Sequence, residues 1–550
     1  MQISNRLVVI LILIVFLIGL IFRVINLPKA NISLSMDEAA EGYNAYSIFK
    51  TGKDEYGTAW PLSFRSTGDY KSPLLIYLMV PAIAVFGLNE FGIRITVALI
   101  GALTIVVVFF LTKLLTNNNL IALVASFSLA ISPWHLKPSR LSHDVTLGLF
   151  LVLLGTLLFF IALKANKKIF WLSAVVFGLT FYAYHAQKVF TPLLLISLFL
   201  IYRKQLLKRK RELIFASLVG LVVIIPFLFI ISTPQGRTRV DMTFLTKDID
   251  ISGQLHQQNE NLNLAQKIFD NNFFLTFNFW SKRYLDYFDF NLLFVNGMGY
   301  TLPNAPDIGF LYLFELPFFL IGLYVIWVKK LIFKKEEKIL LVVWLLIGPL
   351  AASLANNAKH HFRSLTLIPS LELIVGSGFY YTLGKIKKNF WQKRILLVGL
   401  STVVIFSVSY MSDLYFIQYQ VTNSEFYMDG WKEAVLYALD NHDKYKEVIL
   451  DSRYGTLGPY TIVTPYIYLL FYGQIDPYTY QNSPVRLQDG KYGIRYQNFD
   501  YRRIDWTVDK DKKDILFIGS PWVLPAKDEE IVQRFYLYNG KEILRAVNPK

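Results

Sequence analysis

The residues able to do chemistry sit in short polar stretches between long apolar runs. The first reads Ser35-Met36-Asp37-Glu38-Ala39-Ala40-Glu41. One of its carboxylates can act as a general base held just outside an apolar anchor. The same residues read as a helix start, with Ser35 as N-cap and Asp37 and Glu38 in the first turn, where the helix dipole favours negative charge. The two readings are compatible, because a carboxylate on a helix end is fixed in space. The second stretch runs from Pro133-Trp134-His135 through Lys137, Arg140 and Ser142-His143 to Asp144. Asp144 opens an apolar run and reads as its N-cap, while Arg140 reads as snorkelling to lipid headgroups. Cations recur at other run ends: Lys71, Arg94, His185, Lys188, Arg237, Arg239 and His360-His361-Phe362-Arg363. One such residue means little. Several on one side suggest a site for an anion near a membrane surface, and the arginine fork suits phosphate. The His pair raises a metal as well, although no fixed spacing such as H-E-x-x-H supports one. Glu315 and Glu372 lie within or beside apolar runs, where a carboxylate is a functional candidate by default.

The elements that must position these residues are membrane helices. The chain has 550 residues, of which 54% are hydrophobic and 17% charged, with a net charge of +16 and no cysteine. Soluble domains carry about 25% charged residues, so a soluble nucleic-acid binder is excluded by apolarity, as is a disordered chain. Thiolate chemistry and a disulfide framework are excluded by the missing cysteines. About 20 apolar residues cross a bilayer. Candidate spans are 7–27, 92–115, 120–136, 145–164, 169–184, 188–202, 212–232, 307–328, 338–355, 364–384 and 394–411, which makes about eleven. Basic clusters at 164–168, 203–211, 329–338 and 385–394 are separated by two spans each, so all fall on one side, the cytoplasmic one. The opposite side receives 137–144, 185–187, 233–306, 356–363 and everything after about 412. The run 73–88 is short and holds Pro73, Pro81 and Gly87, which favours a juxtamembrane helix over a span. The aromatic end of 233–306 reads as a belt at headgroup level or a cover for a site. The tail 412–550 reads as a small α/β unit, with helices at Trp431–Leu439 and Glu529–Tyr536 and strands at Val448–Leu450 and Ile515–Ile518. Its Trp431, Tyr460, Tyr466, Tyr478 and Tyr480 read as core, or as platforms for sugar faces.

In their order along the chain these residues resemble the GT-C class of membrane glycosyltransferases. Within it they are similar to the bacterial aminoarabinose transferases and the protein O-mannosyltransferases of the family 39 type. The resemblance rests on Asp37-Glu38 after one anchor, Lys71-Ser72-Pro73-Leu74, and Phe86-Gly87-Leu88-Asn89-Glu90-Phe91-Gly92-Ile93-Arg94. It continues through Ser132-Pro133-Trp134, Ser139-Arg140 and Asp144, Phe310 to Gly322, and His361-Phe362-Arg363 to Ile368-Pro369 and Gly376, covering about residues 1–400. Ser72 stands where many relatives carry a first Pro, and His361-Phe362-Arg363 is not the Lys-Leu-Pro of the aminoarabinose transferases, which leaves the acceptor open.

The resemblance implies a mainly α polytopic membrane bundle of GT-C type. Residues 1–411 would form the catalytic domain, with 28–91 as the first external loop, and 412–550 an extracytoplasmic α/β domain. It implies a polyprenyl-phosphate sugar donor whose anomeric carbon is attacked, in one inverting displacement, by a glycan, lipid or protein acceptor. Asp37 would be the base, Asp144 would position the acceptor or hold Asp37, and Glu38 completes the catalytic carboxylates. Lys71 and Arg363 would bind the lipid phosphate, joined by Arg140, His185, Lys188 and His361. No organic cofactor is called for, and a divalent metal stays open. The partners are the donor, the acceptor and the bilayer, with no nucleic acid, in a multi-pass cell-membrane location. A secondary transporter or lipid flippase is the alternative, but inverted repeats are not visible.

Overall fold

The computed structural model describes the chain apart from residues 1–3, 30–32, 67–68, 166, 234–244, 246–271, 298–307, 356–359, 387–389, 460, 463, 484–493 and 550. Arg237 and Arg239, most of the long loop 233–306, and Tyr460 therefore lie outside the described residues. In chain order the first elements are α1 (Asn5–Val24), α2 (Met36–Thr51), strands β1 (Phe64–Ser66) and β2 (Asp69–Lys71), α3 (Pro73–Phe86) and α4 (Glu90–Thr116). Then come α5 (Asn119–Ile131), α6 (Pro133–Arg140), α7 (Asp144–Lys164), α8 (Phe170–Leu179), α9 (Gln187–Leu206) and α10 (Lys210–Ser232). The chain forms two compact units. One comprises Met1–Ile25, Val97–Pro303 and Asp307–Met411; the other comprises Asn26–Thr96, Asn304–Pro306 and Ser412–Lys550. The first loop thus belongs with the tail.

The first unit is helical. Helix α1 packs on α5 and α6, α7 on α8, and α8 on α10, while the helix Ile368–Lys385 packs on α5 and on Leu316–Leu323. Membrane helices approach closely through small residues, since lipid offers no hydrophobic drive between them. Gly378 illustrates this: a Cβ there would lie 1.8 Å from the Phe318 carbonyl oxygen. Helices α5 and α6 meet at a 55° bend. Pro133 causes it, since proline cannot continue the hydrogen-bond ladder of the preceding turns. The Ser132 hydroxyl accepts from the His135 N–H at 3.4 Å and so restarts the helix. Among the described residues five helices are long and apolar enough to cross a membrane, or six if the bent pair is one span. The sequence count of about eleven is therefore not established by helix length, because several apolar runs fold as shorter or broken helices. Residues 272–286 form a helix whose aromatic rings at every third or fourth position contact one another, Phe277 to Trp280 and Trp280 to Tyr284 both at 5.5 Å.

The second unit holds a six-stranded mixed sheet. Its strands are β3 (Glu447–Asp451), β6 (Ile494–Tyr496), β7 (Phe499–Arg502), β8 (Ile515–Gly519), β9 (Ile531–Tyr536) and β10 (Glu542–Val547), in the order β6-β7-β3-β8-β10-β9. Two short strands, β4 (Arg453–Tyr454) and β5 (Thr461–Ile462), pair with each other. The central β3 runs parallel to β7 and β8, and the others pair antiparallel. Apolar runs suit a strand covered on both faces, and all five residues of β8 are buried. The expected strands at 448–450 and 515–518 lie within β3 and β8, and the expected helix at 431–439 lies within Trp431–Asn441. The expected helix Glu529–Tyr536 is overturned: after one short turn the chain forms β9, paired with β10. Ile531, Val532, Phe535 and Tyr536 prefer a pleated surface, and pairing on an edge decides what a short periodic run cannot. Trp431, Tyr466 and Tyr480 are buried, whereas Tyr478 is exposed.

Candidate active site

Asp37 and Glu38 open α2 through a capping box. The Glu38 N–H donates to the Ser35 hydroxyl and the Ser35 N–H donates to Glu38 Oε2, both at 3.2 Å. Adjacent in sequence, the two carboxylates have opposite environments. Glu38 is buried, and Arg94 grips it from the first turns of α4, Nε to Oε1 at 2.8 Å and Nη2 to Oε2 at 3.1 Å. The third arm of that guanidinium donates to the Pro28 carbonyl at 3.2 Å. Glu38 thereby fastens the entry and exit of the first loop. Asp37 instead has a 63% exposed side chain and pairs with the nearly buried Lys71, whose Nζ lies 2.5 Å from Oδ1. Lys71 is fixed twice over. It ends β2, where it pairs with Phe64, and Ser72-Pro73 behind it starts α3.

The tail braces the segment that carries Asp37. The Tyr468 hydroxyl donates to the Leu34 carbonyl at 2.9 Å, the Thr464 N–H donates to Met36 Sδ at 3.1 Å, and the Tyr43 hydroxyl donates to the Ile475 carbonyl at 3.0 Å. Gly42 lets α2 come close to the helix Tyr466–Tyr472: a Cβ there would meet Ile93 at 2.7 Å and Phe471 at 2.9 Å. Nothing in the sequence signalled this bracing, since the contacts join residues more than 400 positions apart.

The second cluster lies in the other unit. All eight residues of α6 are buried. Trp134 stacks on Phe310 with centroids 3.9 Å apart and donates from Nε1 to the His361 carbonyl at 2.6 Å. This ties the α6 turn to the loop 360–363. Asp144 is the first residue of α7 and not its N-cap: His143 holds the cap position without a side-chain cap bond, and its Nδ1 lies 3.2 Å from Asp144 Oδ1. The carboxylate is occupied by its neighbour in place of the helix N–H groups. The His143 ring meets Phe362 at 4.5 Å and Tyr184 at 6.4 Å, and Lys137 Nζ lies 5.7 Å from the Phe362 ring. Arg140 does not snorkel. It is fully buried, and its Nη1 donates to the Phe22 carbonyl of α1 at 2.7 Å, because α1 offers a backbone acceptor where a headgroup was expected. Next to Tyr184, His185 Nδ1 lies 3.0 Å from Lys188 Nζ.

The electrostatics of this cluster differ from its formal charge. Burial, reinforced by Arg363, His143 and Lys137, pulls His360 down to about 3, and burial with Lys137 leading among the charges holds His361 well below the usual imidazole range. Both imidazoles are therefore neutral at pH 7, and they present polar N–H groups instead of charge. The loop's charge rests on Arg363, which is half-buried. Among the described residues no group of three or more His, Asp or Glu side chains is placed to hold a metal ion. One residue of this unit went unnoticed in the sequence: Gln187, buried with no partner for either amide atom among the described residues, carries no motif.

Residues 70–230 match the model of the dolichyl-phosphate-mannose-protein mannosyltransferase family. That segment runs from β2 through α10 and includes Lys71, Asp144, His185 and Lys188. No curated protein matches the chain. Among solved structures, ArnT from Cupriavidus metallidurans bound to undecaprenyl phosphate is 13% identical with a TM-score of 0.51, over 98% of this chain and 97% of that one. The oligosaccharyltransferase of Archaeoglobus fulgidus in complex with Zn and sulfate is 14% identical with a TM-score of 0.50, over 80% of this chain and 60% of that one. At these identities the structural likeness speaks to the fold, and the family match adds the sequence signature. The chain is thus similar in fold to ArnT and to the archaeal oligosaccharyltransferase, and within it residues 70–230 match the mannosyltransferase family model.

Proposed function

We propose that the chain transfers a sugar from a polyprenyl-phosphate donor to an acceptor hydroxyl or similar group on the extracytoplasmic face of the membrane. The observation that carries this reading is the Asp37–Lys71 pair, an accessible carboxylate at a helix N-terminus beside a nearly buried ammonium. The pair matches what the displacement needs. The acceptor O–H loses its proton to Asp37, its oxygen bonds to the anomeric carbon, and the bond from that carbon to the phosphate oxygen breaks on the opposite face, so the configuration inverts. The leaving group is a phosphate monoester, whose second pKa near 6 lets it depart without a strong general acid. It needs positive charge: Lys71 supplies it beside Asp37, and in the other unit Arg363 is the candidate, with Arg140, His185 and Lys188 as further phosphate-binding candidates there. His361 contributes an N–H donor. Glu38, held on both oxygens, positions Asp37 and does not touch substrate. Asp144 orients the acceptor through its link to His143.

Support comes from the family match over 70–230 and from the ArnT structure, which holds undecaprenyl phosphate. A lipid donor also explains the architecture, since a polyprenyl tail is stable only in hydrocarbon and keeps its phosphate at the interface. The test is transfer of labelled sugar from synthetic polyprenyl-phosphate donors by the purified protein, with Asp37→Asn as the control. Unchanged turnover in that variant would remove Asp37 from the base role. Movement of lipid across proteoliposomes with no covalent product would replace transfer by transport.

A further inference from the structure

Far along α4 and α7 from the residues discussed above, at the helix ends that carry the basic clusters, the first unit contains a cavity of about 860 Å³. That is the size of a small-molecule or lipid site, which typically measures about 300–1,000 Å³. Its wall divides by chemistry. Phe110, Leu114, Leu157 and Ile161 form an apolar side, and Lys113, Lys164, Lys334, Glu336 and Glu337 form a charged rim. Leu115 and Glu337 also line an adjoining crevice that is almost wholly apolar, walled by Val108, Leu111 and Leu373.

The rim groups are not all satisfied. Lys164 donates to the Leu114 carbonyl at 2.7 Å and lies 3.4 Å from Glu337 Oε1. Glu337 Oε2 and the Tyr202 hydroxyl, both buried on the cavity wall, have no hydrogen-bond partner among the described residues. An unmet buried acceptor and an unmet buried donor are costly unless a ligand completes them. Lys113 and Lys334 make no ion pair among the described residues.

We propose that this cavity binds one phospholipid with a phosphoethanolamine headgroup. The phosphate takes Lys113, Lys334 and the Tyr202 hydroxyl, the primary ammonium donates to Glu337 Oε2 with Glu336 nearby, and an acyl chain follows the apolar wall into the crevice. A purely anionic headgroup would leave Glu337 Oε2 still without a donor and set a second carboxylate, Glu336, against it. A choline headgroup brings the positive charge but no N–H to give. The rim, with three ammonium groups and two carboxylates, fits a zwitterion that can donate. None of these residues has a role in the proposed transfer reaction, so the inference stands or falls apart from it.

The experiment is native mass spectrometry of the purified full chain, delipidated in detergent and titrated with dioleoyl phosphatidylethanolamine, phosphatidylglycerol or phosphatidylcholine. Phosphatidylethanolamine is expected to bind roughly tenfold tighter than phosphatidylcholine, the increment of one charge-assisted hydrogen bond. Glu337→Gln should erase that preference while leaving phosphatidylcholine binding unchanged, and Lys113→Ala with Lys334→Ala should weaken all three lipids together. If Glu337→Gln does not fold, the half-buried Glu336→Gln should narrow the preference instead. Equal retention of the three lipids, tighter binding of phosphatidylglycerol, or a preference that survives both carboxylate variants would each overturn the proposal.

Discussion

The Asp37 region and the Asp144 region draw on the same residue types and treat them in opposite ways. Around Asp37 the charges are formal and paired: one carboxylate is exposed on a buried lysine, and its neighbour is clamped by a buried arginine. Around Asp144 burial keeps His360 and His361 neutral, Lys137 lies against the Phe362 ring, and hydrogen bonds run to backbone carbonyls. Ionisable residues near a membrane surface therefore do not form one uniform electropositive site. Burial converts some of them to polar scaffolding and leaves a few as carriers of charge.

The largest expected difference between the regions is catalytic. Asp37→Asn should lower turnover by about 10²–10⁴, the usual worth of a general base, with the melting temperature unchanged. Asp144→Asn should cost less, because it loses a link to His143 and not the proton acceptor. A larger loss at Asp144, read in the same labelled-sugar assay, would exchange the two roles. A double-mutant cycle on turnover then tells whether both act on one step.

Next in size is stability. Arg94→Ala leaves Glu38 buried without its partner, which costs about 3–5 kcal/mol and should appear as a large drop in thermal midpoint. Arg94→Lys should recover little of it, since lysine cannot bridge both carboxylate oxygens. Full stability in Arg94→Ala would mean that Glu38 is not held as argued. In the other region, Trp134→Phe keeps the ring on Phe310 but loses the bond to the His361 carbonyl, for about 1 kcal/mol. A variant as stable as the parent would deny that bond a structural role.

The finest contrast is in pH. His360 is lowered by burial to about 3, so the unfolded state binds its proton first. Its contribution is complete above the unfolded value near 6.5 and is lost as pH falls from there toward 3. Asp429 has the opposite sign. Burial raises it to about 6 despite a hydrogen bond from Ser33, so the folded state keeps the proton longer. Its contribution is complete below the unfolded carboxylate value and is lost as pH rises through about 6. Hydrogen exchange at pH 5 and pH 7 should therefore show the segment around 360–365 loosening in acid and that around 424–431 tightening. His360→Asn and Asp429→Asn should each abolish the trend in its own segment. Parallel trends in the two segments would erase the distinction.

Much of the fold was legible because apolar length and short covered strands are local signals. The helix start with Ser35 as N-cap was legible for the same reason, since its donors and acceptors lie within one turn, and the structure adds the return bond to the Glu38 side chain. The misread stretch 529–536 marks the limit. Its residues fit one face of a helix or one edge of a sheet equally well, and only the pairing of β9 with β10 separates them. Asp144 was placed at the start of its helix, but Arg140 was read in a turn and lies at the end of α6, and the partners of neither were foreseen, since His143 competes for the carboxylate and α1 supplies a distant carbonyl.

By itself the sequence determined that this chain is a membrane protein with polar, acid-bearing turns between apolar helices, because water and hydrocarbon sort residues one at a time. The tertiary structure decided which acids are available. Glu38 is consumed and Asp37 is offered only because Arg94, Lys71 and a tail more than 400 residues away arrive at the same helix start. Charge and exposure depend on neighbours brought together in space, and no local pattern encodes them.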